Sequence, residues 1–449
     1  MGLSRIFDIS SRSLGVYQRA LDVTSHNVSN ANNPDYARQR VVFGSERPDV
    51  TNFGEFGAGV KIDDIARVKD TLTDVQIRSY NQKFADVDKR SQVLGQVESL
   101  FSEPSDLGLS RLISSFYNSW DELASTPNST PLRNNVIQAA GRLSTKIQGI
   151  HDGLDILRSD LNGQVGEKVQ EMNSTIQEIQ NLSRQIKSAK ATGQAANDLY
   201  DRRDKQIDAL SKLVNINVHA DDQGSVGISI GGIFAVDEYS ATAFKAVNVN
   251  GKLALVTDDG SATAALTGGE IYASMDLYNN QLTSYQDSVN SIAQNLMDSV
   301  NAVHRGGFGL NGVTNADFFT GYNSGSGVLS FNPDTNAIAA SAVAGNDGNS
   351  QNAINIAKLA DQKQIDGKTI SEFYNSFISD IATQKKLNDQ SSESNQLVLD
   401  QLNNQKSSFS GVSIDEEMTN VIKFQKSYDA SAKLIKIADE MLQTLLNMV

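Results

Sequence analysis

Hydrophobic positions recur about every 3.5 residues at both ends of this 449-residue chain. Over residues 3–28, Leu3, Phe7, Leu14, Tyr17, Leu21 and Val28 form one stripe, with Ser10 and Thr24 completing its alternation of four- and three-residue steps. Over 414–449, Ile414, Met418, Val421, Tyr428, Ala432 and Ile435 form a second stripe, interrupted by Gln425. After a one-residue slip it continues through Ala438, Leu442, Leu445 and Val449. Such a repeat is the seam of a coiled coil and calls for a helical partner. The pattern therefore predicts ends that pair with each other and with neighbouring molecules.

Between the ends the periodicity changes several times. The turn-rich stretch Ser29–Asp35 ends the first helix, and 36–68 reads as short extended pieces: Arg40–Phe43, a glycine-rich loop, then Val60–Ile62. Helical spacing returns over 70–101. At Thr130-Pro131 an N-cap residue precedes a proline at the first helical position, where a missing N–H costs nothing. From Leu132 to Ile186 the apolar residues then keep a helical period, which predicts a helix of about 60 residues and roughly 90 Å. Glycines 141, 149, 153, 163 and 166 weaken it, and a break near 163–166 is expected.

A helix over 197–213 follows, then a period of two. Val226, Ile228 and Ile230, the turn Gly231-Gly232 and Ile233–Val236 predict a hairpin, with further strands at 241–249 and 252–257. Helix resumes over 270–303 and 352–406, around a loop-rich 306–350. The last helix starts at a capping box, Ser413-Ile414-Asp415-Glu416, with Glu417 adding a third carboxylate at the positive end of the helix dipole.

Composition narrows the class. Only six prolines occur, none between Pro131 and Pro333, which permits long helices. The net charge of −14 argues against nucleic acid as a partner. Six arginines against four carboxylates leave the first 47 residues at +2 and the remainder at −16. The absence of cysteine removes disulfides, thiol nucleophiles and thiolate metal sites. No Sec-type signal peptide and no 18-residue apolar run is present, so no membrane insertion is expected.

Candidate chemistry is thin. His26, His151, His219 and His304 lack ligands at i+3 or i+4, and read as solvated or hydrogen-bonded side chains. Asp221-Asp222 and Asp258-Asp259-Gly260 do not fit a twelve-residue calcium loop and read as turns. Gly306-Gly307-Phe308-Gly309 lacks a dinucleotide fingerprint, and neither a nucleophile elbow nor a Walker sequence occurs. No catalytic residue, metal or cofactor is expected. The charged run Asn197–Asp204 reads as a solvated helix start.

The segment Asn27–Gln39 (NVSNANNPDYARQ) resembles the signature after the first helix of bacterial flagellar axial proteins, the rod, hook and hook-associated family; Asn33 and Asp35 stand where that family has Thr and Gly. Ser410–Met418 and Phe424–Ala430 resemble the family's last helix. Interior segments are similar to its hook-associated members: Gly57–Ile62 with Ile65, Arg67, Asp70, Gln76 and Arg78; Asn197–Asp204 with Leu210–Val214; Gly268–Glu270; and Asn301–His304 with Phe318-Phe319. The resemblance gives the charged run a structural role.

The expected fold is mainly α: paired N- and C-terminal coiled-coil helices, a long-helix bundle domain and a small inserted β-domain. The expected division is 1–45 with 410–449, 46–215 with 268–409, and 216–267. The resemblance implies a non-enzymatic, extracellular subunit of a ring joining flagellar hook to filament. It implies self-association, contact with hook protein and with a second junction protein, and unfolded export through the flagellar type III apparatus. A cytoplasmic export chaperone would cover the C-terminal helix. The expected assembly residues are the stripe positions Leu3, Phe7, Leu14, Tyr17, Leu21, Val28, Ile414, Met418, Val421, Tyr428, Ile435, Leu442 and Leu445. Asn30, Tyr36, Arg38, Gln39 and Phe424 join them from the two signatures. The alternatives are another axial protein (hook or second junction protein), a secreted coiled-coil adhesin and a peptidoglycan-cleaving enzyme. The interior segments weigh against the first, and no carboxylate site supports the last.

Overall fold

The computed structural model describes residues 2–51, 54–101, 103, 105, 107–220 and 225–447, without the side chains of Gly2, Leu3 and Thr51. The fold is mainly helical. Helix α1 spans Gly2–Ser29, α2 Thr71–Phe101, α3 Leu109–Ser125, α4 Thr130–Ala191, α5 Asn197–Leu213, α6 Glu270–Asp276, α7 Leu282–His304, α8 Gln351–Ala357, α9 Ile370–Ser410 and α10 Ile414–Leu446. Helices α1 and α10 pair, as do α2 and α9. The chain forms two compact units, one of 1–82, 172–243 and 395–449, the other of 83–171 and 244–394.

In the first unit β1 (Gln39–Ser45) runs antiparallel to β4 (Val60–Arg67), with a bulge at Val42/Phe43. Between them β2 (Asp49–Thr51) pairs with β3 (Gly54–Phe56). Strands β5 (Ile216–Ala220), β6 (Val226–Ile230) and β7 (Ile233–Val236) form an antiparallel sheet. Val226, Ile228 and Ile230 point inward as the period of two requires, and Gly231 and Gly232 take the positive φ of the turn.

The second unit holds two hairpins, β8 (Phe244–Val249) with β9 (Lys252–Thr257), and β10 (Phe319–Asn323) with β11 (Val328–Phe331). Asn250 and Gly251 turn the former, both with positive φ. Its aromatic core brings Phe116, Trp120, Phe318 and Phe319 together, with ring centroids 4.9–6.4 Å apart. Two polar side chains hold the backbone around it. Asn301 accepts from the N–H groups of Phe318 and Phe319 and donates to the Phe319 carbonyl, at 2.7–3.0 Å. His304 Nδ1–H donates to the Ala316 carbonyl at 2.7 Å, and its Nε2 accepts from Ala339 N–H at 2.9 Å. Burial keeps the imidazole below its ordinary pKa, against the Ala316 carbonyl and the Asp317 charge, which favour the protonated form.

Three expectations change. Helix α4 runs unbroken through 163–166; burial of Leu161, Val165 and Val169 outweighs about 1 kcal/mol per glycine. Residues 109–125, to which the periodicity assigned no element, form α3, with Leu109, Ile113, Phe116, Trp120 and Leu123 fully buried. The helix over 270–303 contains a π-helical turn at Leu277–Gln281. From that turn Asn279 pairs with both backbone groups of Leu253, at 2.6 and 2.8 Å.

Candidate assembly site at the terminal helices

Asn27, near the end of α1, donates to Glu417, at the start of α10, at 3.0 Å. Further along, Phe43 packs against both Tyr17 and Phe424. The two helices therefore run antiparallel. Their close contact buries small and polar side chains: Ser10, Ala20, Thr24 and Asn27 on α1, and Glu417, Ser431 and Ala438 on α10. Ser10 and Thr24, the polar fillers of the amino-terminal stripe, are thus at its centre. Leu14, Tyr17, Leu21 and Val28 are half-buried beside them, as are Val421, Phe424, Tyr428 and Ile435.

Other stripe positions are not covered. Phe7, Ile414, Met418, Leu442 and Leu445 are 39–51% exposed. Close helix approach favours small residues at the contact, and the bulky ones are displaced to its flanks. Counting antiparallel from Asn27 and Glu417 places Leu442 opposite the first turn of α1. The side chain of Leu3, and Val449, lie outside the described residues, as does Asp221-Asp222.

The loop after α1 is bound at several points. Tyr36 is buried; its hydroxyl donates to Asn27 Oδ1 at 2.8 Å and lies 3.1 Å from His26 Nδ1. Burial, with the charges of Asp198, Asp201 and Glu417, raises its pKa. Asn27 Oδ1 also accepts from Gln39 N–H, and Asn27 Nδ2 donates to the Gln39 carbonyl. Gln39 Nε2 donates to Asp198 at 2.9 Å. Arg38 N–H donates to the Ser410 carbonyl, and Asn30 Nδ2 to the His26 carbonyl. The Arg38 guanidinium takes Glu417 at 2.7–2.8 Å and Glu416 at 2.6 Å. Ser413 Oγ caps α10, while the Glu416 carboxylate of the expected capping box turns to Arg38.

The charged run 197–204 is not a solvated helix start. Asp201 and Arg203 are buried, and Asp204 is nearly so. Arg67 bridges Asp201 and Asp204 at 2.7 Å, and Lys69 holds Asp204 at 2.6 Å and Asp74 at 3.0 Å. Arg78 and Lys406 pair with Asp208 and Asp74, respectively. Burial pushes the Asp201 carboxyl up to about 6, against Arg67 and the Ala37 N–H that it accepts. Burial acts on Asp204 too, but Lys69 and Arg67 hold it down to about 2. These charges knit β4, α2, α5 and α9 beneath the loop.

Sequence reasoning missed Asn27, Glu417 and Asp201 as the polar anchors of this site. Asn27 stood in the quoted signature, but its partner lies 390 positions away. Among the described residues no group of metal-ligating side chains occurs, and no helix is long and apolar enough to cross a membrane.

Long terminal helices paired with each other, and a clamped loop beside them, are the features of a subunit built to assemble, and comparison with known proteins places it in a structural, non-enzymatic family of the flagellum. Residues 94–319 match the helical domain of flagellar hook-associated protein FlgK, and 404–448 match the C-terminal region of the flagellar basal body rod FlgEFG proteins. The chain belongs to the FlgK family and is a hook–filament junction protein of the flagellum. It is 27% identical to flagellar hook-associated protein 1 of Bacillus subtilis, over 98% of this chain and 97% of that one. The Escherichia coli protein of the same name is 21% identical, over 99% and 100%. The structure of the flagellar hook junction protein FlgK from Burkholderia pseudomallei shares the fold, with a TM-score of 0.66 and 13% identity over 75% of this chain and all of that one.

Proposed function

We propose that this junction protein assembles as a ring through its terminal helices, with 1–45 and 410–449 as the assembly domain. The observation that carries the reading is the uncovered apolar surface on an otherwise paired α1 and α10: Ile6, Phe7, Ile414, Met418, Ile422, Leu434, Ile437, Met441, Leu442 and Leu445. A surface of that kind marks a protein interaction site. The expected assembly residues divide accordingly. The half-buried ones, with Tyr36, Arg38 and Gln39, shape the pair, and the exposed ones meet neighbours.

In the assembled axis the ring contacts hook protein on one side and the second junction protein on the other. Before assembly the chain passes unfolded through the flagellar type III apparatus to the outside of the cell, and an export chaperone shields the C-terminal helix. The test is Leu442→Asp with Leu445→Asp in a motile strain lacking its own copy. Cells should secrete the variant, whose second unit melts normally, yet shed flagellin into the medium. Filaments retained at wild-type number would overturn the reading.

A further inference from the structure

Apart from Leu442, Leu445 and Leu446 near its end, the uncovered apolar residues of α10 form two rows, not one. At about 100° per residue, Ile414, Met418 and Ile422 lie roughly 130° to one side of the α1 seam, and Leu434, Ile437 and Met441 roughly 90° to the other. The seam direction is fixed by the buried Glu417, Ser431 and Ala438. The rows also differ in height. Their centres, Met418 and Ile437, are about 19 residues or roughly 29 Å apart along the helix.

We infer that the first row of one copy packs against the second row of the next, so that neighbouring copies are staggered by roughly 29 Å along α10. This rests on the proposed assembly through the terminal helices and specifies its geometry. The occupant is a second copy for three reasons. In a head-to-tail array every copy points the same way, so rows on opposite flanks face each other across adjacent copies. A shift of about 19 residues brings Met418 level with Ile437 and Ile422 level with Met441, so both rows are covered in full. Charge agrees as well: the same shift brings exposed Lys433 within about one residue of exposed Asp415, on the side of each helix facing away from α1. An isologous pair would join a row to itself and leave the other bare. A head-to-tail contact that carries such a stagger repeats into a helical array, so the proposed ring is a turn of a helix and not a flat closed ring.

The native chain has no cysteine, so introduced thiols report directly. Met418→Cys and Ile437→Cys would be produced separately and together, in a motile host lacking its own copy. Isolated hook–filament junctions would be treated with a short bis-maleimide. Cross-linked dimer should appear in the mixed junctions and be absent from either variant alone. Ile422→Cys with Met441→Cys serves as a second pair should the first fail to assemble. Dimers within a single variant would overturn the stagger. So would the absence of mixed dimers in junctions that the Leu442→Asp, Leu445→Asp change still disrupts, and in either case the ring reading stands. No dimers at all, with filaments insensitive to that change, would overturn both.

Discussion

Replacing Glu417 with alanine should loosen α10 from α1 and the loop without touching the second unit. Glu417 is fully buried and accepts hydrogen bonds from Arg38 Nε at 2.8 Å and Asn27 Nδ2 at 3.0 Å, with Arg38 Nη2 in ion-pair contact at 2.7 Å. Hydrogen bonds to charged groups contribute about 1.5–3 kcal/mol each, and breaking a buried pair costs about 3–5 kcal/mol. Arg38 keeps Glu416 and some solvent, so the lower end, about 3 kcal/mol, applies. That is about a 100-fold rise in local opening. Hydrogen exchange with mass spectrometry would read it in peptides covering 20–40 and 412–424, with peptides from 109–125 as the internal control. Glu417→Gln, which keeps the volume and the Asn27 contact, should fall between. Exchange changed less than threefold in both peptides would refute the argument that this buried carboxylate anchors the pair.

Other predictions concern protons and backbone. Asp201 titrates at about 6 in the fold, above the ordinary value of about 3.9. Its contribution is therefore full below the ordinary value and lost as pH rises through about 6, by up to about 3 kcal/mol. Asp201→Asn, which can still accept from Ala37 N–H, should flatten the denaturation midpoint between about pH 4 and 6; an unchanged profile would count against it. His304 has the opposite sign. Its lowered pKa gives stability present above about 6.5 and lost as pH falls below it. His304→Phe should remove that acid loss while costing about 1–3 kcal/mol for each backbone group it strands, both visible in melts of the second unit against pH. Gly327 has φ +64 and its missing Cβ faces the His151 side chain. Gly327→Ala should cost about 1–3 kcal/mol, read as a lower melting temperature, and an unchanged melt would show that the β10–β11 turn tolerates a side chain there.

Period and punctuation alone located most elements, because long helices need only local agreement between apolar spacing and caps. The starts at Thr130 and Ser413 and the turns at Gly231-Gly232 and Asn250-Gly251 were all legible in this way. So were the family and the non-enzymatic class, which rested on short segments in order along the chain. The partners of isolated residues were not legible. The sequence determined that the two ends carry seams at a spacing near 3.5. Only the tertiary structure decided that Ser10, Ala20, Thr24, Ser431 and Ala438 fill the contact while Met418 and Ile437 face outward on opposite flanks. Spacing gives the period of a stripe but not which of its neighbours a second helix will cover. That choice is made by how closely two backbones can approach, and by polar groups such as Asn27 and Arg38, whose shared partner Glu417 lies 390 and 379 positions away.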